Sequence, residues 1–239
     1  MITDGLSYPV SGDDGLKRLL IGSVLGFASV LVLPAFLLLG YSVRVLGDAA
    51  HGGTEPPAFD DWGEMFVTGL KATLVAVVYG LVPFGLVVLL AVTILSGAAV
   101  GGDAGGLLAG VGLLGVLLSV VASVLVYYLV PAALTNMAVD GQMGAAFDLG
   151  RLKRVLLSGD YLLAWLAPVA LAVVLNVVTV ILVATIVGAL LVPIVQFYVQ
   201  VAVLYMFGRA YGEVTGTAEG RQTPTGAGAG RDNSDTKLR

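Results

Sequence analysis

A chain of 239 residues that is 58% hydrophobic and 12% charged carries more apolar surface than a soluble domain can hide, where about 45–50% and about 25% are usual. The excess faces lipid, and the length leaves room for one membrane domain and little else. A net charge of −4, no cysteine and a single histidine, His51, exclude disulfides, thiolate metal sites, cysteine nucleophiles and a histidine metal cluster.

The N-terminus carries Asp4, Asp13 and Asp14 where a secretory signal has basic residues. The apolar run after Lys17-Arg18 is longer than a signal core, so it is read as retained. Spans are predicted where about 20 mostly apolar residues run without charge, enough to cross a ~30 Å hydrocarbon core as helix. Five regions qualify: 19–40, 72–95, 107–134, 161–183 and 189–207. Long continuous apolar runs exclude barrel strands, which alternate over about ten residues. The expected fold is therefore all-α, a polytopic integral membrane helix bundle occupying residues 1–211.

Each span contains a proline, Pro34, Pro83, Pro131, Pro168 or Pro193, and a proline inside a helix removes a hydrogen bond and bends it. Gly22 with Gly26, Gly106 with Gly110, and Gly115 with Ser119 and Ser123 have the spacing of closely packed membrane helices. Residues 96–106 read as a flexible glycine-rich turn, and residues 212–239, rich in glycine, threonine and charge, as a disordered polar tail.

The two longer connections each predict an amphipathic helix lying in the interface. In 61–71, Asp61 and Glu64 have the spacing of a capping box, after Pro56-Pro57 has ended any earlier helix. Trp62, Met65, Phe66, Gly69 and Leu70 then share one side, with the indole at headgroup depth. In 145–157, Ala145, Leu149, Leu152 and Leu156 face one way, and Asp148, Arg151 and Arg154 the other. Phe59-Asp60 and Phe147-Asp148 recur in the two connections, a hint of internal duplication.

Basic residues at span ends set orientation. Arg44, Lys71, Arg151, Lys153, Arg154, Arg209 and the four basic residues of the tail fall on one side, expected to be cytoplasmic, in a multi-pass protein of the cell membrane. Five spans leave Lys17 and Arg18 on the other side. A re-entrant first region, or a sixth span hidden in the chain, removes that conflict.

The spans contain no ionisable residue, the usual mark of an ion or proton path. Their polar groups are Asn176, Gln196 and Gln200, for which hydrogen bonding between helices is the simpler reading. No nucleotide loop, nucleophile elbow, zinc-protease helix or nucleic-acid-binding pattern occurs. No catalytic residue, metal site or cofactor is expected, and no nucleic-acid partner. Tyr41, Arg44, Phe59, Asp60, Trp62, Lys71, Arg151 and Arg154 are the candidate contacts for lipid or a partner protein.

The run Gly40-Tyr41-Ser42-Val43-Arg44-Val45-Leu46, then Pro56-Pro57-Ala58-Phe59-Asp60-Asp61-Trp62, Gly69-Leu70-Lys71, Tyr79 and Pro83, resembles the archaeal membrane proteins grouped as domain of unknown function 4013, frequent in haloarchaea. Tyr8-Pro9 and Leu16-Lys17-Arg18-Leu19-Leu20-Ile21-Gly22 resemble that family's opening. The resemblance covers the chain to about Gly212 and implies a multi-helix membrane protein of an archaeal, halophilic cell. It supplies no activity and no catalytic residues. The expected function is a non-enzymatic membrane scaffold or interaction protein with a cytoplasmic docking surface, and the alternative is a transporter or permease subunit.

Overall fold

The computed structural model describes residues 2–183 and 185–218, with the side chains at 2, 167–170, 172–177, 181, 183, 186–187 and 189–190 outside the description. The helices in chain order are α1 (Ile2–Ser7), α2 (Gly15–Ala28), α3 (Val32–Ala50), α4 (Trp62–Val100), α5 (Gly102–Asp140), α6 (Leu149–Leu156), α7 (Gly159–Val183) and α8 (Ile186–Thr215). Short 3-10 turns cover Tyr8–Val10 and Met143–Phe147, and no strand occurs among the described residues. Among the described residues, four helical segments, Val32–Ala50, Trp62–Val100, Gly102–Asp140 and the part of α8 from Leu191, are long and apolar enough to cross a membrane. The chain is an all-α membrane helix bundle.

The first apolar region is broken. α2 has 14 residues, about 21 Å at ~1.5 Å per residue, too short for a ~30 Å hydrocarbon core. Its end turns through Ser29–Leu31 into α3, where Pro34 occupies the first turn, a place whose backbone N–H has no helical partner to lose. The outer ends of this helical hairpin lie together: Ser11 Oγ donates to the Thr54 carbonyl at 2.9 Å, and Arg18 stands 3.9 Å from the Glu55 carboxylate. α2 and α3 thus leave and return to the same end of the molecule. The tip is bare apolar surface, with Phe27, Val30 and Leu31 all strongly exposed.

α4 and α5 form an antiparallel pair, each of 39 residues and about 58 Å long. The glycine-rich connection predicted at 96–106 closes to a single residue. Gly101 and Gly102 both have left-handed φ, 66° and 61°, open to glycine at no steric cost, so helix fills the rest. The surface helix predicted at 61–71 is likewise the first turns of α4. Apolar residues continue in register from Trp62 into the span, and nothing in between stops a helix. α4, α5 and α8 run on through Pro83, Pro131 and Pro193.

The outer halves of α4 and α5 expose Leu81, Phe84, Leu89, Leu95, Leu107, Leu113 and Leu118, while Met65, Ala72, Val75 and Ala132–Met137 at the other end are buried. Apolar groups face outward over the middle and polar groups pack inward at one end, the reverse of a soluble protein. α7 and α8 form a second antiparallel pair. Tyr161 and Phe207 meet at the packed end with ring centroids 5.7 Å apart, and the turn between the helices lies at the far one. α8 also runs beside α3, with Gly208 and Gly212 against the Leu46 and Ala50 backbone, where a Cβ would overlap carbonyl oxygen.

The predicted small-residue pairs are used unevenly. A Cβ at Gly26, Gly106 or Gly110 would meet open space, whereas Gly22 faces the Phe197 ring and Gly115 the Leu90 side chain. The predicted tail begins later than expected, because α8 continues past Gly212 to a left-handed stop at Gly216. Residues 219–239 of that tail lie outside the described residues.

Candidate functional site

The packed end is a polar hub built from three clasps. In the first, loop 51–61 folds back over α3. Tyr41 is 1% exposed. Its ring stacks on Phe59 with centroids 4.0 Å apart and planes 6° from parallel, and its hydroxyl donates to the Pro57 carbonyl at 3.3 Å. Arg44 donates to the Asp60 carboxylate at 2.7 Å, to the Asp60 carbonyl at 3.0 Å and to Glu64 at 3.1 Å. The expected capping box is not formed: Asp61 stands at the helix start with φ 47° and no side-chain cap bond, because Glu64 is turned to Arg44 instead. Aspartate is among the few residues that tolerate this left-handed conformation.

The second clasp joins the ends of α5, α6 and α8. Asn136 is fully buried. Its Oδ1 accepts from Tyr211 Oη at 2.6 Å and from Arg151 Nη1 at 2.9 Å, and its Nδ2 donates to the Ala145 carbonyl at 2.6 Å. Arg151 Nη1 also reaches both oxygens of Asp140, at 2.7 and 2.6 Å, and the hydrogen bond to that carboxylate holds the guanidinium above its ordinary value. α6 begins at Leu149 rather than at Ala145 because the Asp148 carboxylate accepts from the Gly150 and Arg151 amides, at 3.0 and 3.1 Å, and so caps it there. It is amphipathic, but its buried face is shifted from the predicted one: Leu152 and Val155 are buried and Leu156 half-buried, Leu149 is exposed, Lys153 and Arg154 point outward, and Arg151 turns into the hub. A cavity of about 320 Å³ beside it is lined by Asp140, Arg151, Arg154, Tyr211, Thr215 and Thr217 among others.

The third clasp ties the N-terminus down. Tyr8 is 2% exposed, stacks on Tyr205 with centroids 4.1 Å apart, and points its hydroxyl at Asp48 Oδ2 from 3.5 Å. Tyr198 donates to the Leu6 carbonyl alongside. Burial first, and the Asp48 charge second, push the Tyr8 phenol well above its usual range.

Below the hub, a cleft of about 750 Å³ separates the α2–α3 tip from α8, lined by Phe27, Ser29, Leu31, Pro193, Gln196 and Gln200 with their neighbours. Gln200 Nε2 donates to Ser42 Oγ at 3.0 Å, a hydrogen bond between helices of the kind predicted. Gln196 makes no hydrogen bond among the described residues, and the side chain of Asn176 lies outside them.

The structure thus divides the predicted contact residues. Tyr41, Arg44 and Arg151 are turned into the hub, and Phe59 is half-buried against Tyr41, whereas Asp60, Trp62, Lys71 and Arg154 are exposed. The two Phe-Asp pairs play related parts. Phe147 stacks on Tyr79 with centroids 5.4 Å apart, and Tyr79 donates to the Ala146 carbonyl at 2.7 Å, as Tyr41 does around Phe59. Asp60 takes an arginine, however, while Asp148 caps a helix. Sequence reasoning missed Tyr8, Asp48, Glu64 as an arginine partner, Asn136 and Tyr211. The signal for Asn136 is an amide at the end of an apolar run, but Tyr211 is 75 positions from its partner and leaves no local trace. Among the described residues no three of His, Cys, Asp and Glu gather as a metal site needs.

A bundle with apolar outer surfaces and one polar end is the architecture of a multi-pass membrane protein. Residues 25–184 match the model of the family described as "Protein of unknown function (DUF4013)", and the chain belongs to that family. No curated protein and no solved structure matches it.

Proposed function

We propose that this protein is a non-enzymatic membrane scaffold whose hub faces the cytoplasm and docks a partner protein. The observation that carries the reading is the one-sidedness of charge. Lys17, Arg18, Arg44, Lys71, Arg151, Lys153, Arg154 and Arg209 all belong to the hub end, and the opposite turns at Gly101–Asp103 and Thr185–Gly188 have no basic residue. Basic residues concentrate on the cytoplasmic side of membrane proteins. With α2 and α3 as a re-entrant hairpin, α3 returns to the hub although it is long enough to cross. α4, α5, α7 and α8 then make four crossings, and the described residues at either end of the chain lie on the hub side. Sixteen acids against twelve bases support a high-salt setting for this reading, and the family resemblance implies an archaeal one.

The hub's polar groups are largely spent on one another, so docking falls to the exposed Trp62, Lys71 and Arg154, with Asp60 beside them still holding Arg44. Affinity capture of full-length protein from native membranes tests this. A defined co-purifying protein present with wild type and lost in both Trp62→Ala and Lys71→Ala supports docking. Unchanged co-purification in both folded variants contradicts it. A second reading, a permease subunit, draws on the cleft beside α8. Among the described residues the cleft has no charged lining and is mainly apolar, which favours an apolar occupant over a hydrated path.

A further inference from the structure

We infer that the cleft between the α2–α3 tip and α8 is a binding site for a neutral lipid, one apolar chain carrying a hydroxyl or carbonyl group. The inference is independent of the docking reading and takes from the permease reading only the cleft.

The cleft's size and lining set the class of occupant. About 750 Å³ falls inside the range of about 300–1,000 Å³ of pockets that take small molecules, which are mostly apolar with a few placed polar groups. Its walls are Phe27, Val30, Leu31 and Leu38 on one side and Val192, Pro193 and Phe197 on the other, surfaces suited to hydrocarbon.

The polar groups set the head. Gln196 has a carboxamide on an apolar helix with no hydrogen-bond partner among the described residues, although Gln200, one turn further, has one in Ser42. Gln196 is exposed in the bundle alone, on a helix long and apolar enough to cross a membrane. In hydrocarbon an unpaired amide costs several kcal/mol, so Gln196 calls for a partner from the bilayer side of the cleft. Ser29 Oγ donates to the Gly26 carbonyl at 2.6 Å, which leaves its oxygen as an acceptor. Gln200 spends an N–H on Ser42 and keeps its carbonyl oxygen. These groups together can donate to a carbonyl or exchange hydrogen bonds with a hydroxyl.

Charge excludes the other lipids. Among the described residues no Lys, Arg, His, Asp or Glu lines the cleft, so a phosphate, carboxylate or ammonium head placed there would be unpaired in a low-dielectric site. A neutral head matches, and the apolar tip of the α2–α3 hairpin opens the cleft to the bilayer from which such a lipid enters.

The test uses full-length protein in lipid nanodiscs and two photoactivatable probes of equal chain length, a diazirine-bearing long-chain alcohol and the same hydrocarbon without the hydroxyl. Cross-linked peptides are mapped by mass spectrometry. The alcohol should label residues 26–31 and 192–200 in preference to the outer faces of α4 and α5, and excess unlabelled alcohol should displace it. Gln196→Leu should lower labelling by the alcohol about five- to tenfold, the worth of one hydrogen bond of about 1–1.4 kcal/mol, and leave labelling by the hydrocarbon unchanged. Gly26→Leu, at a position where a side chain meets open space, should block both probes without unfolding the protein. Labelling spread evenly over the lipid-facing surface would overturn the assignment. So would labelling indifferent to both substitutions, or a wild-type dimer that Gln196→Leu turns into a monomer with labelling unaltered, since the amide then serves a second copy of the chain.

Discussion

Tyr211 Oη donates to Asn136 Oδ1 at 2.6 Å, across 75 positions of sequence, and this bond fastens the last helix to the end of α5. The same oxygen takes Arg151, so one buried amide joins α5, α6 and α8. Buried polar groups of this kind are costly when half-satisfied. Asn136→Ala should therefore destabilise the protein by about 2–4 kcal/mol, because it strands the buried Tyr211 hydroxyl and takes a partner from Arg151, while the Ala145 carbonyl keeps the Asp148 amide. Tyr211→Phe should cost about 1–2 kcal/mol. A double-mutant cycle by denaturant titration in mixed micelles should give clear coupling between them, and simple additivity would deny the bond its role.

The crossing of α3 and α4 is made backbone to backbone. A Cβ at Gly40 would overlap the Met65 carbonyl oxygen, and one at Gly69 would overlap that of Phe36. Since the obstacles are main chain and cannot rotate away, Gly40→Ala and Gly69→Ala should each cost at least about 2–3 kcal/mol, in the upper range of single substitutions. Gly106→Ala and Gly110→Ala, which face open space, should be neutral or stabilising by about 0.5–1 kcal/mol through helix propensity. Thermal unfolding of the four variants in one detergent separates the two groups.

Tyr8 gives the hub a response to alkali. Its folded pKa is raised, by burial first and by Asp48 second, so folding favours the protonated phenol. That contribution is complete below the unfolded value near 10 and is lost as pH rises above about 10 toward the folded value. Stability should fall above about pH 10 in wild type, and the Tyr8→Phe variant should show a shallower decline over the same range. Identical slopes would show that Tyr8 ionises as freely folded as unfolded.

Much of the fold is legible in the sequence because lipid imposes a simple rule, that an uncharged apolar run of sufficient length is helical. The apolar runs containing Pro83, Pro131 and Pro193 are read that way, and so is the amphipathic stretch around Leu152 and Arg154. Boundaries are less legible. Nothing apolar distinguishes Val30 from the residues of a continuous span, and the break at Ser29–Leu31 follows from tertiary contacts, with Ser11, Arg18, Thr54 and Glu55 drawing both ends of the hairpin together. Glycine spacing alone does not separate Gly208 and Gly212, which touch α3, from Gly106 and Gly110, which touch nothing. The family motif from Gly40 to Lys71 marked a contact surface in sequence, yet Tyr41 and Arg44 hold the chain to itself. Pairings over long separations decide that, and no local pattern encodes them.

The proposed re-entrant α2–α3 hairpin puts the basic residues from Lys17 to Arg209 on one side of the membrane. The absence of native cysteine makes single-cysteine labelling direct. Asp13→Cys, Glu55→Cys and Lys153→Cys should react with a membrane-impermeant maleimide from the same face of sealed vesicles, and Asp103→Cys and Thr185→Cys only from the opposite face. Reaction of Asp13→Cys from the face opposite to Glu55→Cys would contradict the re-entrant hairpin and the one-sided hub with it.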